Sequence, residues 1–396
     1  MNRQTPTTKR QDGGNLRFIL LLGTVSFFSD MLYEGTRSII GPYLALLGAS
    51  GAVVGFVAGF GESIGYILRI ASGYLVDRTR RYWQIAILGY LCNFVAVPLL
   101  AFAGSWQIAA TLVIIERIGK AIRTPSRDAM LSYAGQKLGR GWGFGLHQVM
   151  DQIGGVFGPL MITLVLFMGG SYRQGFIFLL IPGTFMLLSL LFAKKSYPNP
   201  QNLEVEVTEL KSSKMPPLFW TFLIGSAFIA AGYVDFPLMA FHFQKSDLFA
   251  PVWIPVFLII GMLASAASAL FFGWIYDRYG LLTILIAVFL SSAAAPLVFL
   301  GKDKLIVLGM VLWGIGLGAQ RSLLKAVVGD IVAKSIRGTS YGIFNTGYGV
   351  AWFLGSWLIG VLYDVSIPAL IAFSVIMQLS AIPFIFVVQR KMRRAN

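Results

Sequence analysis

The chain has 396 residues, of which 56% are hydrophobic and 12% are charged, and its mean hydropathy is +0.73. Soluble domains carry about 25% charged residues, so this composition excludes an ordinary soluble protein. The net charge of +15 is typical of the Lys and Arg that set membrane topology, and we expect no nucleic-acid partner. One cysteine and two histidines leave no basis for a disulfide, a metal site or a cofactor.

Continuous apolar runs, without the alternation of a membrane β-barrel, follow one another along the chain. A helix needs about 20 apolar residues to cross a bilayer. The sequence therefore predicts an all-α membrane protein with twelve transmembrane helices. The predicted spans, one to twelve, are 17–47, 50–76, 82–103, 106–126, 140–168, 174–193, 217–243, 251–275, 281–300, 304–327, 338–362 and 367–389.

Loop charges predict the orientation of these spans. With both termini on one side, most loop Lys and Arg collect on that side, and the other side keeps only Arg173, Lys245, Lys302 and Lys304. Basic loops stay in the cytoplasm, so we expect cytoplasmic termini and a cell membrane location, in a bacterium the inner membrane. The predicted organisation is a tail 1–16, a six-helix bundle 17–193, a linker 194–216, a second six-helix bundle 217–389 and a tail 390–396.

Two sequence signals recur at nearly the same spacing and indicate a duplication. Gly73, Asp77 and Arg78 follow the second span, and the same residue types return 200 residues later, after the eighth span, as Gly273, Asp277 and Arg278. Arg-Gly pairs precede both the fifth and the eleventh spans, at 140–141 and 337–338. The two halves of the chain are therefore expected to be homologous.

The first of these signals carries a resemblance to a known family. Gly73-x-x-x-Asp77-Arg78-x-x-Arg81 resembles the cytoplasmic loop between helices two and three of the major facilitator superfamily, although Arg80 stands where that family usually has glycine. The resemblance implies two pseudo-symmetric six-helix bundles and secondary transport by alternating access. It also leads us to expect a monomer.

A glycine-proline motif in the fifth span bears on the direction of transport. Gly154, Gly158 and Pro159 resemble an element that is typical of the antiporters of that family, and the resemblance favours export. Small residues four positions apart also let two helices approach closely in lipid. Close helix packing is therefore the alternative interpretation.

Ionisable residues inside the spans are the candidate functional residues, because a charge at mid-bilayer costs about 2.5–3.5 kcal/mol. In the first span, Asp30, Glu34 and Arg37 share one helical face. Glu34 and Arg37 are one turn apart and can pair, which leaves Asp30 as the less compensated acid. We expect Asp30 or Glu34 to carry a proton.

The fourth span carries a basic stripe. Glu116, Lys120 and Arg123 share one face, with Arg117 beside them, and the tenth span repeats the pattern more weakly with Arg321 and Lys325. In the family that the chain resembles, helices one, four, seven and ten line the central cavity. Arg37, Arg123 and Arg321 would then favour an anionic or zwitterionic solute. The alternative is that these bases only pair with acids.

Further candidates lie in other spans. The acids Glu62, Asp151 and Asp235 are additional proton-coupling candidates, and His147, four residues before Asp151, is a candidate relay. Asp235 follows Gly232 and precedes Pro237, a stretch that is suited to a gate. Asn345 of the eleventh span is a candidate hydrogen-bonding residue for the solute.

These observations predict a proton-coupled transporter, not an enzyme. No Walker-type glycine loop is present, so ATP is not expected to drive it. The expected partners are a small-molecule solute, protons and the lipid bilayer. Export is slightly favoured; the alternatives are proton-driven import of an anionic nutrient or siderophore-like chelate, and a receptor or scaffold that does not transport.

Overall fold

The computed structural model describes residues 6–138, 140–199, 215–332 and 337–395. Helices account for nearly all of these residues and no strand occurs among them, which confirms the predicted all-α class. The helices are α1 (Pro6–Leu46), α2 (Gly51–Thr79), α3 (Tyr82–Leu99), α4 (Trp106–Leu138), α5 (Arg140–Phe167), α6 (Tyr172–Phe178), α7 (Leu180–Ser196), α8 (Pro217–Gly232), α9 (Phe236–Lys245), α10 (Trp253–Tyr279), α11 (Leu282–Ser292), α12 (Ala294–Leu300), α13 (Lys304–Ile331), α14 (Arg337–Val365) and α15 (Ile367–Ala395).

Twelve segments correspond to the twelve predicted spans. Among the described residues, eleven are long and apolar enough to cross a membrane. The remaining one is α4, a 33-residue helix whose charged side chains lower its hydropathy. The predicted linker 194–216 lies mostly outside the described residues, since 200–214 are not described.

Three predicted spans consist of two consecutive helices, and a proline explains each break. A proline ring clashes with the carbonyl four residues before it and removes a hydrogen-bond donor. Pro182 and Pro296 each lie four residues after the last residue of a helix, α6 and α11 respectively. Pro237 lies four residues after the residue that follows the end of α8. The longest of these breaks separates α8 from α9 and ends at Asp235, where the sequence predicted a breakable stretch.

The chain forms two compact units. Unit 1 comprises Met1–Thr36, Leu68–Ala103 and Thr111–Thr208, and unit 2 comprises Arg37–Ile67, Gly104–Ala110 and Glu209–Asn396. The second part of α1 and the first part of α2 therefore pack within unit 2. The division into bundles 17–193 and 217–389 stays a prediction.

Close backbone packing in unit 1 explains the glycine-proline motif of α5. A Cβ atom on Gly154 would clash with the carbonyl oxygen of Phe27, and one on Gly158 would clash with that of Met31. Both glycines thus let α5 lie directly against α1. This packing accounts for the motif without reference to the direction of transport.

Unit 2 holds the N-terminus of α2 against the end of α14. The two carboxylate oxygens of Asp364 accept hydrogen bonds of 2.8 Å from the backbone N–H groups of Gly51 and Ala52. A carboxylate at a helix N-terminus satisfies donors that have no partner in the helix, and it complements the helix dipole. Farther along the same contact, a Cβ atom on Gly55 would clash with the carbonyl oxygen of Ser356.

The duplicated loop motif lies at the ends of α2 and α10. Asp77, Arg78, Arg81 and Arg278 are exposed, and the Arg278 guanidinium lies 5.0 Å from the centre of the Trp274 ring. Gly73 and Gly273 are half-buried in the last turns. The side chain of Asp277 lies outside the described residues.

Arg80 and Gly280 occupy the same repeat position and share a left-handed backbone, with φ of 53° and 62°. This conformation explains why glycine is usual there, because a Cβ atom makes it unfavourable by about 1–2 kcal/mol. We expect Arg80→Gly to be more stable than Arg80→Ala by about 1 kcal/mol. Thermal unfolding of both variants in detergent measures this difference.

The second copy of the motif provides the matched control for Arg80. Gly280→Ala adds a Cβ atom at a second residue with positive φ, so it is expected to lower the unfolding midpoint. Equal midpoints for Arg80→Gly and Arg80→Ala would contradict the explanation from backbone strain.

Candidate functional site

Unit 1 brings together charged side chains from α1, α4 and α5. Asp30 lies within electrostatic range of Asp151, Lys120, Arg123 and Glu34. Helical spacing places Asp30 and Glu34 on one face of α1, and the glycines of α5 bring that helix against α1. These five candidates therefore form one polar cluster, which we call the unit 1 cluster.

An aromatic ring and a buried acid hold two bases at one side of the unit 1 cluster. The Lys120 ammonium lies 3.2 Å from the centre of the Tyr33 ring, and the Arg117 guanidinium lies 4.1 Å from it. The carboxylate of Glu116 lies 3.5 Å from Nε of Arg117 and accepts a hydrogen bond of 2.8 Å from Asn93. Cation–π contacts and a shared carboxylate thus offset part of the cost of burying these charges.

His147 of α5 connects Asp151 to the basic end of α4. Its Nε2 lies 2.7 Å from Oγ of Ser26, which accepts a hydrogen bond of 3.4 Å from Arg127. Its Nδ1 lies 3.7 Å from Oδ2 of Asp151, slightly beyond hydrogen-bond length. Arg127 also pairs with Asp128 at 2.9 Å. The predicted neighbours His147 and Asp151 therefore do lie side by side, and the role as a relay stays a prediction.

Unit 2 contains a buried ion pair between Arg37 of α1 and Asp235 at the α8–α9 break. Nη2 of Arg37 lies 3.4 Å from Oδ1 of Asp235, and the two side chains are only 6% and 5% exposed. The other carboxylate oxygen of Asp235 accepts a hydrogen bond of 2.8 Å from Nε1 of Trp352, and Oγ of Ser356 lies 3.5 Å from it. Asp235 is thus bound from both α1 and α14.

Aromatic side chains enclose this ion pair. The Trp313 ring centre is 5.7 Å from the Arg37 guanidinium, and its Nε1 donates a hydrogen bond of 2.9 Å to the backbone carbonyl of Val234. Tyr233 stacks on Trp313 and donates to its carbonyl oxygen. Trp313 and Trp352 were not among the residues predicted from the sequence. Their position in the middle of spans, away from the interfaces where Trp is usually enriched, was the available signal.

The other predicted site residues are spread over unit 2. Arg321 of α13 is exposed, and it lies within electrostatic range of Tyr233. Glu62 and Asn345 are half-buried. The side chain of Lys325 lies outside the described residues.

A small cavity, with room for about one water molecule, lies between α8, α11 and α13 of unit 2. Its walls are apolar except for Ser291 and Gln320. Oε1 of Gln320 accepts a hydrogen bond of 2.6 Å from Tyr348. The sequence does not predict this cavity, because its apolar lining residues have the same pattern as any other helix core.

Comparisons with known proteins cover almost the whole chain. The sequence profile of the Major Facilitator Superfamily matches residues 22–356 and 256–396. An uncharacterised protein of Mycobacterium tuberculosis is 38% identical over 380 residues, which are 94% of this chain and 93% of that protein. An uncharacterised MFS-type transporter of Methanocaldococcus jannaschii is 29% identical over 357 residues, which are 88% of this chain and 89% of that protein.

Solved transporter structures share the fold at low sequence identity. A nucleoside transporter, NupG, superposes with a TM-score of 0.75 at 15% identity over 93% of this chain and 99% of that one. A bacterial homologue of the human lysosomal transporter Spinster, in an inward-facing and occupied conformation, gives 0.72 at 16% identity over 94% and 96%. A POT peptide transporter in complex with sulfate gives 0.74 at 13% identity over 95% and 94%. This likeness confirms the predicted fold.

Proposed function

Because the chain belongs to the Major Facilitator Superfamily, and so is a multi-pass membrane transporter and not an enzyme, we propose that it moves a small organic solute by alternating access and couples that movement to protons. The observation that carries the proposal is the unit 1 cluster. There Asp30 of α1 lies within range of a second acid, Asp151, and of two bases of α4. An acid retained inside a transmembrane helix marks a functional site by default.

The composition of the cluster suits proton coupling. Two neighbouring carboxylates disfavour each other's ionised forms, whereas Lys120 and Arg123 favour them. Because these influences oppose one another, gain or loss of one proton at Asp30 changes the charge balance of the whole cluster. A transporter that cycles between two states responds to such a change when the states differ in their affinity for the proton.

The direction of transport is open to two proposals with different support. Export rests on the antiporter-like motif of Gly154, Gly158 and Pro159, whose glycines the close packing on α1 also explains. Import of an anionic solute rests on the basic residues of α4, of which Arg123 is almost fully buried. We favour the anionic solute on this ground.

Proton movement in liposomes tests the proposal. Purified protein is reconstituted with a pH-sensitive dye inside the vesicles, and a panel of carboxylates, phosphorylated metabolites, amino acids and lipophilic cations is added outside. We expect at least one anionic compound to change the internal pH only when the protein is present. Acidification indicates symport and therefore import, and alkalinisation indicates antiport. Entry of a compound without any pH change would contradict proton coupling.

A further inference from the structure

Arg123 of α4 is a buried cation with unused hydrogen-bonding capacity. The residue is only 1% exposed. Its Nε and Nη1 donate no hydrogen bond to any of the described residues. Asp30 and Asp151 of the unit 1 cluster supply opposite charge within electrostatic range of Arg123, but neither accepts a hydrogen bond from these two donors. A buried guanidinium with unused donors costs free energy that a ligand with acceptor oxygens would recover.

Two hydroxyl groups beside Arg123 have the same unused capacity. The guanidinium lies 4.6 Å from the centre of the Tyr90 ring, and Tyr90 is 1% exposed with no hydrogen bond at its hydroxyl among the described residues. Ser126 is three residues farther along α4, hence on the same face, and is also fully buried with an unpartnered hydroxyl. The cation–π contact with Tyr90 offsets part of the cost of the buried charge and leaves these donors unused.

The backbone around Arg123 is fixed by close packing of α3 against α4. A Cβ atom on Gly89 would lie 2.7 Å from the backbone nitrogen of Arg123 and 2.8 Å from its Cβ. A Cβ atom on Gly119 would lie 2.7 Å from the carbonyl oxygen of Gly89. Since the two backbones already touch, Arg123 cannot satisfy its donors by a shift of its own helix. The backbone that carries the side chain is thus fixed, and the contact with the Tyr90 ring restricts where the guanidinium can lie.

We propose that Arg123, Tyr90 and Ser126 form a subsite for an anionic oxygen group, a carboxylate or a phosphate, in unit 1. A guanidinium offers planar N–H donors that match these groups, and charge-assisted hydrogen bonds are the strong ones. The hydroxyl of Tyr90, whose ring contacts the guanidinium, and that of Ser126, one turn along α4, would add neutral donors. That this group belongs to the transported solute rests on the proposed function, whereas the binding itself does not.

Ligand-induced stabilisation of the purified protein tests the subsite. Unfolding is followed by tryptophan fluorescence in an uncharged detergent during titration with sodium phosphate or sodium succinate, with sodium chloride at matched ionic strength as the reference. A ligand that binds only the folded state raises the unfolding midpoint in a saturable way. We expect such a rise with phosphate or succinate and none with chloride.

Variants locate the binding. Arg123→Gln is expected to weaken the apparent affinity by at least about tenfold, and Tyr90→Phe by about threefold. Tyr90→Phe removes only a hydroxyl, so it keeps the test informative even where Arg123→Gln does not fold. Arg173→Gln, an equivalent change at an exposed arginine of α6, should leave the affinity unchanged. Unchanged affinity in the Tyr90 variant, together with either unchanged affinity or misfolding in the Arg123 variant, would overturn the proposal.

Other outcomes separate the subsite from neighbouring ideas. Stabilisation by phosphatidylglycerol in mixed micelles, but by neither free anion, would assign the site to a lipid headgroup and overturn a solute subsite. No stabilisation by either anion, alongside solute-driven proton movement in liposomes, would reject the subsite and leave the proposed function intact. Anion binding that depends on Arg123 without any proton movement would retain the subsite and reject the coupling.

Discussion

Asp235→Ala is expected to destabilise the protein by about 3–5 kcal/mol, because it removes a carboxylate that pairs with the buried guanidinium of Arg37. The two side chains are at most 6% exposed, so water cannot replace the lost carboxylate without opening the structure. The variant also removes the acceptor of Nε1 of Trp352. Thermal and denaturant unfolding in detergent, with folded yield as a second readout, measure the effect.

A double variant shows whether the charge is the cause. Arg37→Met combined with Asp235→Ala removes both charges, and replacing a buried pair by apolar groups is often neutral. We therefore expect the double variant to recover most of the stability that Asp235→Ala loses. Asp247→Asn removes the charge of an exposed acid and keeps a residue type that tolerates the positive φ found there, so it serves as the control and should have little effect. A double variant as unstable as Asp235→Ala would contradict the account of the ion pair.

Much of the fold follows from local sequence signals. Apolar length predicted the eleven described helices that are long and apolar enough to cross a membrane. It also predicted a span at α4, whose charged residues lower its hydropathy, and that span stays a prediction. The three broken spans follow from single prolines, of which only Pro237 was recognised in advance. Arg80 stands where the family usually has glycine. Its positive φ explains that preference, because glycine adopts a positive φ without strain.

The candidate site was predictable only where partners share a helix. Helical spacing placed Asp30 with Glu34, and His147 beside Asp151. The partner of Arg37 was beyond local reasoning, since Asp235 lies 198 residues away in the sequence and the α8–α9 break sets its position. The spacing within α1 pointed to Glu34 as an acid close enough to pair with Arg37. It could not show which residues of α1 lie beside the α8–α9 break.

Packing between helices decided the rest of the site. Arg123 and Tyr90 meet where Gly89 lets α3 approach α4 closely, and a glycine among many others in the sequence does not reveal its neighbour. The bases of α4 likewise contact two different tyrosines in the structure. Lys120 and Arg117 contact Tyr33, and Arg123 contacts Tyr90.

Asp30→Asn is expected to abolish the ability of a pH gradient to concentrate the solute. One pH unit is worth about 1.4 kcal/mol per proton, which supports a concentration ratio of about ten for each proton that is coupled. Wild-type vesicles should approach that ratio, and Asp30→Asn vesicles should stay near a ratio of one. Labelled solute from the liposome screen provides the measurement.

Matched variants show whether the effect belongs to Asp30. Glu34→Gln tests the second candidate proton carrier on the same face of α1. Asp247→Asn makes the same acid-to-amide change at an exposed loop and should accumulate solute as the wild type does. A variant at Asp30 that still concentrates the solute tenfold across one pH unit would assign the proton to another group.

Solute-evoked proton movement by wild type and Asp30→Asn, measured side by side with dye-loaded liposomes, tests proton coupling through the unit 1 cluster most directly. We predict that wild-type vesicles change their internal pH when the solute is added. We predict that Asp30→Asn vesicles exchange labelled solute for unlabelled solute without a pH change. Proton movement by Asp30→Asn at the wild-type rate, with the same dependence on pH, would contradict this account.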